Sequence, residues 1–377
     1  MIMLIKDFIT VIYKQSNLFA VGVPDSQLQA LCDYLMQEYG IGNNHIVAAN
    51  EGNCAAIAAG HYLATKEIPL VYLQNSGIGN IVNPIESLLK IYKIPCIFVI
   101  GWRGEPGVKD EPQHLYQGKS TLDYLSLLDI PFFNVRKETT QEKVKDIADN
   151  FQQYLEEGRS VAYVISKGAL VNEEKIIYRN DNLLCREDAL EEILTVSGCD
   201  PVVSSTGKIS REIYEIRERN QQSHERDFLT VGSMGHCSSI AFGIASGLTD
   251  KRVWCIDGDG ALLMHMGAIA VIGTAGLDNL VHIVINNSAH ESVGGIPTVA
   301  SGLNLISIAK GCGYQYVATV NQKDELKSVL NDAKEIDASC FIEIKTSVSS
   351  RSDLGRPKES PVENRNFFIN FLQEKKI

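Results

Sequence analysis

The residues of this sequence best suited to chemistry stand in the segment WCIDGDGALLMHMG (254–267), where an apolar, strand-like run ends in acids and glycines. Gly258 and Gly260 allow the backbone to turn tightly, and the apolar helix predicted to follow offers free N–H groups and a positive dipole end to a phosphate. Asp259 stands between the glycines, and its carboxylate alone would repel phosphate oxygens. A divalent cation such as Mg²⁺ would bridge the two, since it is usually held by one or two protein oxygens together with phosphates.

A second pair of polar residues, Asn286 and Asn287, follows after 25 intervening residues, at the end of a β-branched run. That spacing accommodates one helix and one strand, so both loops are expected at carboxyl ends of parallel strands, where doubly wound sheets bind ligands. Each motif alone fits an ordinary turn, but the two together favour a site for a diphosphate and Mg²⁺. A dinucleotide site is the competing interpretation, and the absence of the third glycine of G-x-G-x-x-G weighs against it.

In these two motifs the sequence resembles the thiamine diphosphate-dependent decarboxylases, whose signature is GDG followed at such a distance by NN. The resemblance implies thiamine diphosphate and Mg²⁺ as cofactors. It assigns the metal to the Asp259 carboxylate, the Asn287 side chain and the backbone carbonyl of Ala289. The cofactor-binding residues that it implies are Glu51, Gly232, Met234, Gly258, Asp259, Gly260, Ala261 and Asn287.

Glu51 stands at the head of a helical segment made of Ala, Ile, Gly and Cys, where few neighbours could hydrate its carboxyl group. Burial raises the pKa of a carboxyl group, which suits proton exchange with a ring nitrogen near neutral pH. The resemblance implies that Glu51 hydrogen-bonds the aminopyrimidine ring of the cofactor and is a catalytic residue. Without the GDG motif, an acid stabilised by the helix dipole in a first turn would be the preferred interpretation.

Asp25 and Met234 also match places where the family carries functional residues. Asp25 stands in GVPDS (22–26), after the first predicted strand, where family decarboxylases have an active-site aspartate. Met234 stands in a glycine-flanked segment (231–247), at the place of the apolar residue that holds the two cofactor rings bent. The alternative for Met234 is a core methionine, which is the commoner role of this residue type.

The segment GWRGEPGVKDEPQHLYQGKST (101–121) follows an apolar strand and is rich in Gly and Pro. It is predicted to be a long irregular loop, and such loops usually carry function. Gln113 and His114 fall where family decarboxylases place polar groups that handle protons. His114 is the candidate acid or base because an imidazole titrates near neutral pH, although a lone histidine is more often structural or solvated.

The words GWRGEPG, DEPQH, STGKISRE, GSMGH and RSDLGRP resemble the phosphonopyruvate decarboxylase group, which makes phosphonoacetaldehyde on the way to 2-aminoethylphosphonate. A phosphonate dianion requires cationic and hydroxyl donors, and the candidates for binding it are Arg103, Lys109, Ser205, Thr206 and Lys208. Alternatively, these basic residues form a solvated rim. Two other functions stay open, namely a sulfopyruvate decarboxylase and a catalytically silent thiamine diphosphate-binding protein. The segment 351–365 fits a cover over the site or an interface equally well.

The elements that must position these residues form an alternating pattern of apolar strands and helices, which predicts parallel sheets covered on both faces. The pattern restarts after a polar stretch. We therefore expect two doubly wound α/β domains (1–172 and 187–377) joined by a linker (173–186). The resemblance implies that the first domain binds the pyrimidine ring of the cofactor, that the second binds the diphosphate and Mg²⁺, and that the middle domain of larger family members is absent. The predicted strands are 19–23, 70–74, 95–101, 161–166, 202–205, 252–257, 281–286 and 341–345. The predicted helices are 26–39, 51–65, 141–155, 211–219, 261–274 and 323–333.

The bulk properties of the chain limit its partners. With 377 residues and a formal net charge of −11, it lacks the dense Lys and Arg that nucleic-acid binding requires. No apolar run approaches about 20 residues, so no membrane span is expected, and the N-terminus predicts an amphipathic helix rather than a signal peptide. The nine cysteines form no C-x-x-C pair, which fits reduced thiols in the cytoplasm. The resemblance further implies a homo-oligomer, in which the glutamate of one chain meets the GDG domain of another.

Overall fold

The computed structural model describes residues 2–15, 17–248, 250–351 and 353–373. The chain forms two compact units, each built on its own parallel sheet. The first unit comprises the chain up to Ile177 together with Ser292–Ile296, and the second comprises Tyr178–Glu291 and the chain from Pro297 onward. The boundary at Ile177 lies inside the polar segment expected to be the linker. The return of Ser292–Ile296 to the first unit has no counterpart in a linear division of the sequence.

The first unit has a six-stranded parallel sheet in the order β3-β2-β4-β5-β7-β6, and a separate parallel pair, β1 with β8. Its strands are β1 (Met3–Leu4), β2 (Ala20–Gly22), β3 (His45–Val47), β4 (Leu70–Gln74), β5 (Ile97–Gly101), β6 (Phe132–Val135), β7 (Val161–Ile165) and β8 (Leu170–Val171). Its helices are α1 (Ile5–Ile12), α2 (Gln29–Glu38), α3 (Glu51–Thr65), α4 (Ile78–Pro84), α5 (Pro112–Leu127) and α6 (Gln141–Glu156).

The second unit repeats this plan, with six parallel strands in the order β10-β9-β11-β12-β16-β15. The strands that begin in it are β9 (Val202–Ser204), β10 (Asp227–Leu229), β11 (Val253–Gly258), β12 (Leu280–Asn286), β13 (Ala289–His290), β15 (Tyr316–Val320) and β16 (Cys340–Lys345). The two-residue strand β14 (Ile296–Pro297) begins at the last residue of the Ser292–Ile296 segment and ends at the first residue of the second unit's final segment. Its helices are α7 (Arg186–Ser197), α8 (Lys208–Arg219), α9 (Cys237–Gly247), α10 (Asp259–Met264), α11 (Gly267–Ala275), α12 (Leu305–Cys312), α13 (Lys323–Glu335) and α14 (Pro361–Gln373).

Both sheets reverse their winding direction at a corresponding place. In the first unit the chain runs from β2 outward to β3 and then returns to form β4 on the other side of β2. In the second unit it runs from β9 to β10 and then returns to form β11 beside β9. Ligands of doubly wound sheets bind at the carboxyl ends of strands at such switch points. The residues that follow β2, β4, β9 and β11 are therefore the first to consider for a site.

The apolar sequence of the central strands explains why they form the core. Every residue of β5, β7 and β12 is buried, as expected for parallel strands covered by helices on both faces. The predicted class, two doubly wound α/β domains without a third domain between them, is confirmed for the part of the chain that the structure describes. All eight predicted strands are present, and Leu70–Gln74 and Glu51–Thr65 have the predicted bounds.

The strands that the sequence did not reveal include the edge strands of both sheets, namely β3, β6, β10 and β15. An edge strand pairs on one side only and needs less apolar sequence than a central one. In β6 and β15, for example, most residues are only partly buried. Their sequences therefore lack the continuous apolar run that identified the central strands.

Two predicted segments have a different structure. The loop expected over 101–121 ends at Glu111, because Pro112 begins α5, and proline is favoured at the first position of a helix. The single helix expected over 261–274 is two helices, α10 and α11, separated at His265. His265 leaves the helical conformation (φ −134°, ψ 45°). The loop prediction is therefore wrong for residues 112–121, which are helical, and the helix prediction is wrong at 265–266, where the helix is interrupted.

Two expectations about the chain as a whole can also be compared with the structure. The amphipathic N-terminal helix is present as α1, which buries Ile5, Phe8, Ile9 and Ile12 on one face. All nine cysteines are free thiols. Among the residues that the structure describes, no helix combines the length and the apolar character needed to cross a membrane.

Candidate active site

Asp259 lies at the carboxyl end of β11, beside the switch point of the second sheet, and is the first residue of α10. Its side chain is buried, and the Thr298 hydroxyl donates a 2.6 Å hydrogen bond to Oδ2. Burial raises the pKa of Asp259 to about 6, against the lowering effect of its hydrogen bonds. A carboxylate desolvated in this way is more favourable when a cation lies next to it.

The two asparagines after β12 have different surroundings. Asn286 is buried, donates a 2.7 Å hydrogen bond to Glu343 Oε1 and accepts two at 2.9 Å from Ser288. It therefore stabilises the turn, in which Ser288 has a positive φ of 55°. Asn287 Oδ1 accepts from the Ala289 N–H at 3.1 Å, and its backbone carbonyl accepts from Asn180 Nδ2 at 2.8 Å. The side chain available for a ligand is thus that of Asn287.

Thr298, which the sequence did not single out, connects these two loops. Its hydroxyl donates to Asp259 Oδ2, and its backbone N–H donates to the Ser288 carbonyl at 2.9 Å. The structure thereby joins the Asp259 turn to the loop that carries Asn287 and Ala289. A carboxylate, an amide oxygen and a backbone carbonyl are hard oxygen donors, and this set fits Mg²⁺ when phosphate oxygens complete the coordination.

Among the residues that the structure describes, no group of three His, Cys, Asp or Glu side chains is placed to hold a metal. A cation at the Asp259 turn would therefore depend on amide, carbonyl and ligand oxygens. That dependence is typical of Mg²⁺ sites that form together with a phosphate compound.

The loop that carries Met234 packs directly on α10. Gly235 has a φ of +88°, and a Cβ there would lie 2.5 Å from His265 Cδ2 and 3.1 Å from Met264 Cβ, so only glycine fits. Met234 is half-buried, and its Cε would lie 3.5 Å from a Cβ on Gly260. The structure thus brings Met234 and the GDG turn together, whereas a core position would have buried the methionine completely.

Glu51 is the first residue of α3 in the other unit, where the Asn50 side chain caps the helix. The Glu51 side chain is buried, and Asn80 Nδ2 donates a 2.7 Å hydrogen bond to Oε2. Gly77 packs against it so closely that a Cβ there would lie 2.5 Å from Glu51 Cγ. Burial raises the pKa of Glu51, and the Asn80 hydrogen bond only partly opposes this shift. The sequence showed no sign of Asn80 or Gly77, which lie 29 and 26 residues further along the chain.

Asp25 follows β2, at the switch point of the first sheet. Gln74, the last residue of β4, donates a 2.6 Å hydrogen bond to Asp25 Oδ1. Asp25 Oδ2 is buried and has no partner among the described residues, and it would lie 2.3 Å from a Cβ on Gly101. Burial raises the pKa of this carboxyl group. A buried oxygen without a partner at a strand end is well placed to receive a hydrogen bond from a ligand.

The predicted acid–base residues Gln113 and His114 lie in the first turn of α5, not in an irregular loop. Both are half-buried. This turn packs so closely on Gly104, whose φ is +66°, that a Cβ at Gly104 would overlap the His114 carbonyl. Gln113 and His114 therefore project from a regular helix that packs on the Gly104 backbone.

The five candidates for binding a substrate anion are placed very differently. Arg103 makes a bidentate ion pair with Asp110 at 2.6 and 2.8 Å, and Lys208 binds Glu291 at 2.9 Å. The charges of these two cations are therefore already compensated by carboxylates. Of the others, Ser205 is buried, Thr206 is half-buried and Lys109 is exposed.

We expect the Glu51→Gln variant, without cofactor, to unfold at a higher temperature than the wild-type protein at about pH 8, and at nearly the same temperature at about pH 4. Burial raises the folded-state pKa of Glu51 above its ordinary value of 4.5. The ionised carboxylate therefore costs stability above that value, and the difference disappears when acid protonates it in both states. Thermal unfolding across this pH range measures the effect. Glu86→Gln, at an exposed position, is the control; a less stable Glu51→Gln at the higher pH would contradict the argument.

Comparison with known proteins matches each unit to a family model. A model described as "Thiamine pyrophosphate enzyme, N-terminal TPP binding domain" matches residues 7–127, and one described as "Thiamine pyrophosphate enzyme, C-terminal TPP binding domain" matches residues 205–344. The chain is 33% identical over 368 residues to a phosphonopyruvate decarboxylase of Streptomyces viridochromogenes, covering 93% of this chain and 90% of the relative.

Two further relatives cover similar shares of the chain. A phosphonopyruvate decarboxylase of Streptomyces hygroscopicus is 32% identical over 372 residues, covering 94% of this chain and 90% of its own length. A sulfopyruvate decarboxylase of Methanosarcina acetivorans is 26% identical over 364 residues, covering 88% and 89% respectively. The similarity therefore extends over both units.

Proposed function

The chain belongs to the thiamine pyrophosphate enzymes, and we propose that it decarboxylates 3-phosphonopyruvate to phosphonoacetaldehyde and CO₂, with thiamine diphosphate and Mg²⁺ as cofactors. Its relatives place it among the carboxy-lyases. In this proposal the reaction serves the biosynthesis of phosphonates such as 2-aminoethylphosphonate. The enzyme acts as a homo-oligomer whose active sites lie at the chain interface.

The observation that carries the proposal is the presence in one chain of two complementary groups. One is a buried carboxyl group with a raised pKa, Glu51. The other is the set of oxygens on the Asp259 and Asn287 loops, which Thr298 joins at the end of a parallel sheet. Enzymes that use thiamine diphosphate need a proton-exchanging acid and a metal-bound diphosphate together, whereas a nucleotide-binding site would have no use for the buried acid.

When bound, thiamine diphosphate supplies a sink for the electron pair left as CO₂ departs from a 2-oxoacid. Glu51 would hold a proton at a carboxyl oxygen and exchange it with a ring nitrogen of the cofactor. Asp259, Asn287 and the Ala289 carbonyl would hold the metal, and Met234 would support the cofactor rings. Asp25, Gln113 and His114 would handle protons on the substrate side.

The phosphonate group of the substrate would need donors whose charge is not already compensated. Arg103 and Lys208 would bind it only by releasing Asp110 and Glu291, so we propose that they contribute less than their charge suggests. Lys109 and Thr206 are more accessible, whereas Ser205, which precedes Thr206 in the sequence, is buried. The sulfopyruvate decarboxylase relative supports a sulfonate as the alternative anionic group.

A substrate panel tests the proposed reaction. With thiamine diphosphate and Mg²⁺ present, we expect kcat/KM for phosphonopyruvate to exceed that for pyruvate by about 100-fold or more. Pyruvate has no phosphonate group, so it would leave the donors that bind this group without a partner. Release of CO₂ and of the aldehyde gives the rates. Sulfopyruvate is the third substrate, and enzyme from which a chelator has removed the metal is the blank. Faster turnover of sulfopyruvate would assign the enzyme to the alternative substrate. Equal turnover of pyruvate would contradict the anionic substrate class altogether.

A further inference from the structure

A buried ion network lies next to the Asn287 loop in the second unit. Arg186, the first residue of α7, forms a bidentate pair with Glu212 of α8, both contacts being 2.7 Å. Arg186 also donates to Glu291 at 2.5 Å, and Lys208 donates to the other oxygen of Glu291 at 2.9 Å. The side chains of Arg186 and Glu212 are only 4% and 3% exposed, and that of Glu291 is 11% exposed. Neither Arg186, Glu212 nor Glu291 has a role in the proposed reaction.

Glu291 connects this network to the candidate metal ligand. Besides binding the two cations, Glu291 Oε2 accepts a 3.2 Å hydrogen bond from Asn287 Nδ2. An ionised carboxylate can only accept hydrogen bonds, so it binds the NH₂ end of the asparagine amide and rejects its oxygen. The amide oxygen is therefore directed to the opposite side, where it accepts from the Ala289 N–H.

We infer that Glu291 is a positioning residue, which keeps the amide oxygen of Asn287 turned away from itself and available to the metal. The inference rests on the proposed function, because it gives Asn287 the role of a metal ligand. Arg186 and Lys208 compensate the charge of Glu291, so the carboxylate orients the amide without adding net negative charge beside a diphosphate. Lys208, considered above as a substrate-binding residue, is then part of the metal site's support.

A purely structural role is the competing explanation, and the network itself provides a way to separate the two. Glu212 binds the same arginine as Glu291, but only Glu291 contacts Asn287. Removing either carboxylate leaves a buried arginine partly uncompensated, which destabilises the fold. Only the removal of Glu291 takes away the acceptor of the Asn287 NH₂ group, so that the Ala289 N–H alone holds the orientation of the amide.

The test compares Glu291→Gln with Glu212→Gln. Glutamine can donate as well as accept, so it no longer selects one orientation of Asn287. The measurement is the Mg²⁺ concentration for half-maximal binding of thiamine diphosphate to the full-length apoprotein, determined by calorimetric titration, with thermal unfolding recorded for each variant. We expect Glu291→Gln to raise this concentration by about 10–100-fold, the usual effect of losing an outer partner of a metal ligand. Glu212→Gln is expected to lower the unfolding temperature while leaving the Mg²⁺ requirement near that of the wild type.

A second variant, Glu291→Asp, keeps the negative charge for Arg186 but is one methylene shorter, so its contact with Asn287 is lost. We expect it to fold and to need more Mg²⁺ than the wild type. An unchanged requirement in both Glu291 variants, or equal increases in Glu291→Gln and Glu212→Gln, would overturn the inference. If the wild-type protein itself showed no Mg²⁺-dependent binding of thiamine diphosphate, the proposed function would be wrong. That failure is seen in the wild-type titration, whereas failure of the inference is seen only in the variants.

Discussion

Glu51→Gln should still bind thiamine diphosphate, yet decarboxylate about 100–10,000-fold more slowly than the wild-type enzyme, the range expected when a positioned acid or base is lost. Glutamine has nearly the same size and can accept the Asn80 hydrogen bond, so the fold and the pocket around Gly77 are retained. It has no carboxyl proton to exchange with the cofactor. Calorimetric titration measures cofactor binding, and release of CO₂ measures turnover.

The matched control for this prediction is Glu86→Gln, which removes a carboxylate from an exposed position of the same unit. It should leave turnover unchanged. Wild-type turnover in Glu51→Gln would remove Glu51 from the mechanism. If the variant lost both cofactor binding and turnover, Glu51 would have a role in cofactor affinity rather than in proton exchange. If Glu51→Gln gives the expected result, with slow turnover and higher thermal stability at about pH 8, it will show that the buried carboxyl group lowers stability and is needed for function.

Asp259→Asn should lose the Mg²⁺-dependent binding of thiamine diphosphate, with an effect larger than the roughly 10–100-fold typical of residues one step removed from a metal. Asparagine keeps the shape of the side chain and an acceptor for the Thr298 hydroxyl. It removes the negative charge that a divalent cation requires. Titration of the apoprotein with thiamine diphosphate, at several Mg²⁺ concentrations, measures the change.

Asp278→Asn is the control for the metal prediction, since Asp278 is exposed and lies in the same unit. It should bind cofactor and metal like the wild type. The result that would exclude Asp259 as a metal ligand is an Asp259→Asn protein with an unchanged Mg²⁺ requirement. Because the pKa of Asp259 is raised to about 6 by burial, the metal-free variant should also unfold at a higher temperature than the metal-free wild type above that pH.

The interpretation of the loop at 101–121 shows where sequence patterns lose information. Its glycines and prolines indicated irregular backbone, and this holds as far as Glu111. Beyond that point Pro112 begins a helix that runs to Leu127, so the same residue type that breaks a helix interior here starts one. Arg103 was expected to be available to a substrate, but it is held by Asp110, seven residues away. Composition alone shows that a charge is present, not whether a neighbour compensates it.

The sequence by itself determined the fold class, the central strands and the turn that ends in Asp259, because these depend on local backbone preference and on runs of apolar residues. Only the tertiary structure decided which side chains meet. Thr298 reaches Asp259 across 39 residues of chain, and Glu291 holds Lys208 across 83. Contacts between residues so far apart leave no periodicity in the sequence, since they depend on which strands lie side by side in the sheet. The surroundings of Glu51, Asn287 and Lys208 could therefore be described only after the sheets were in place.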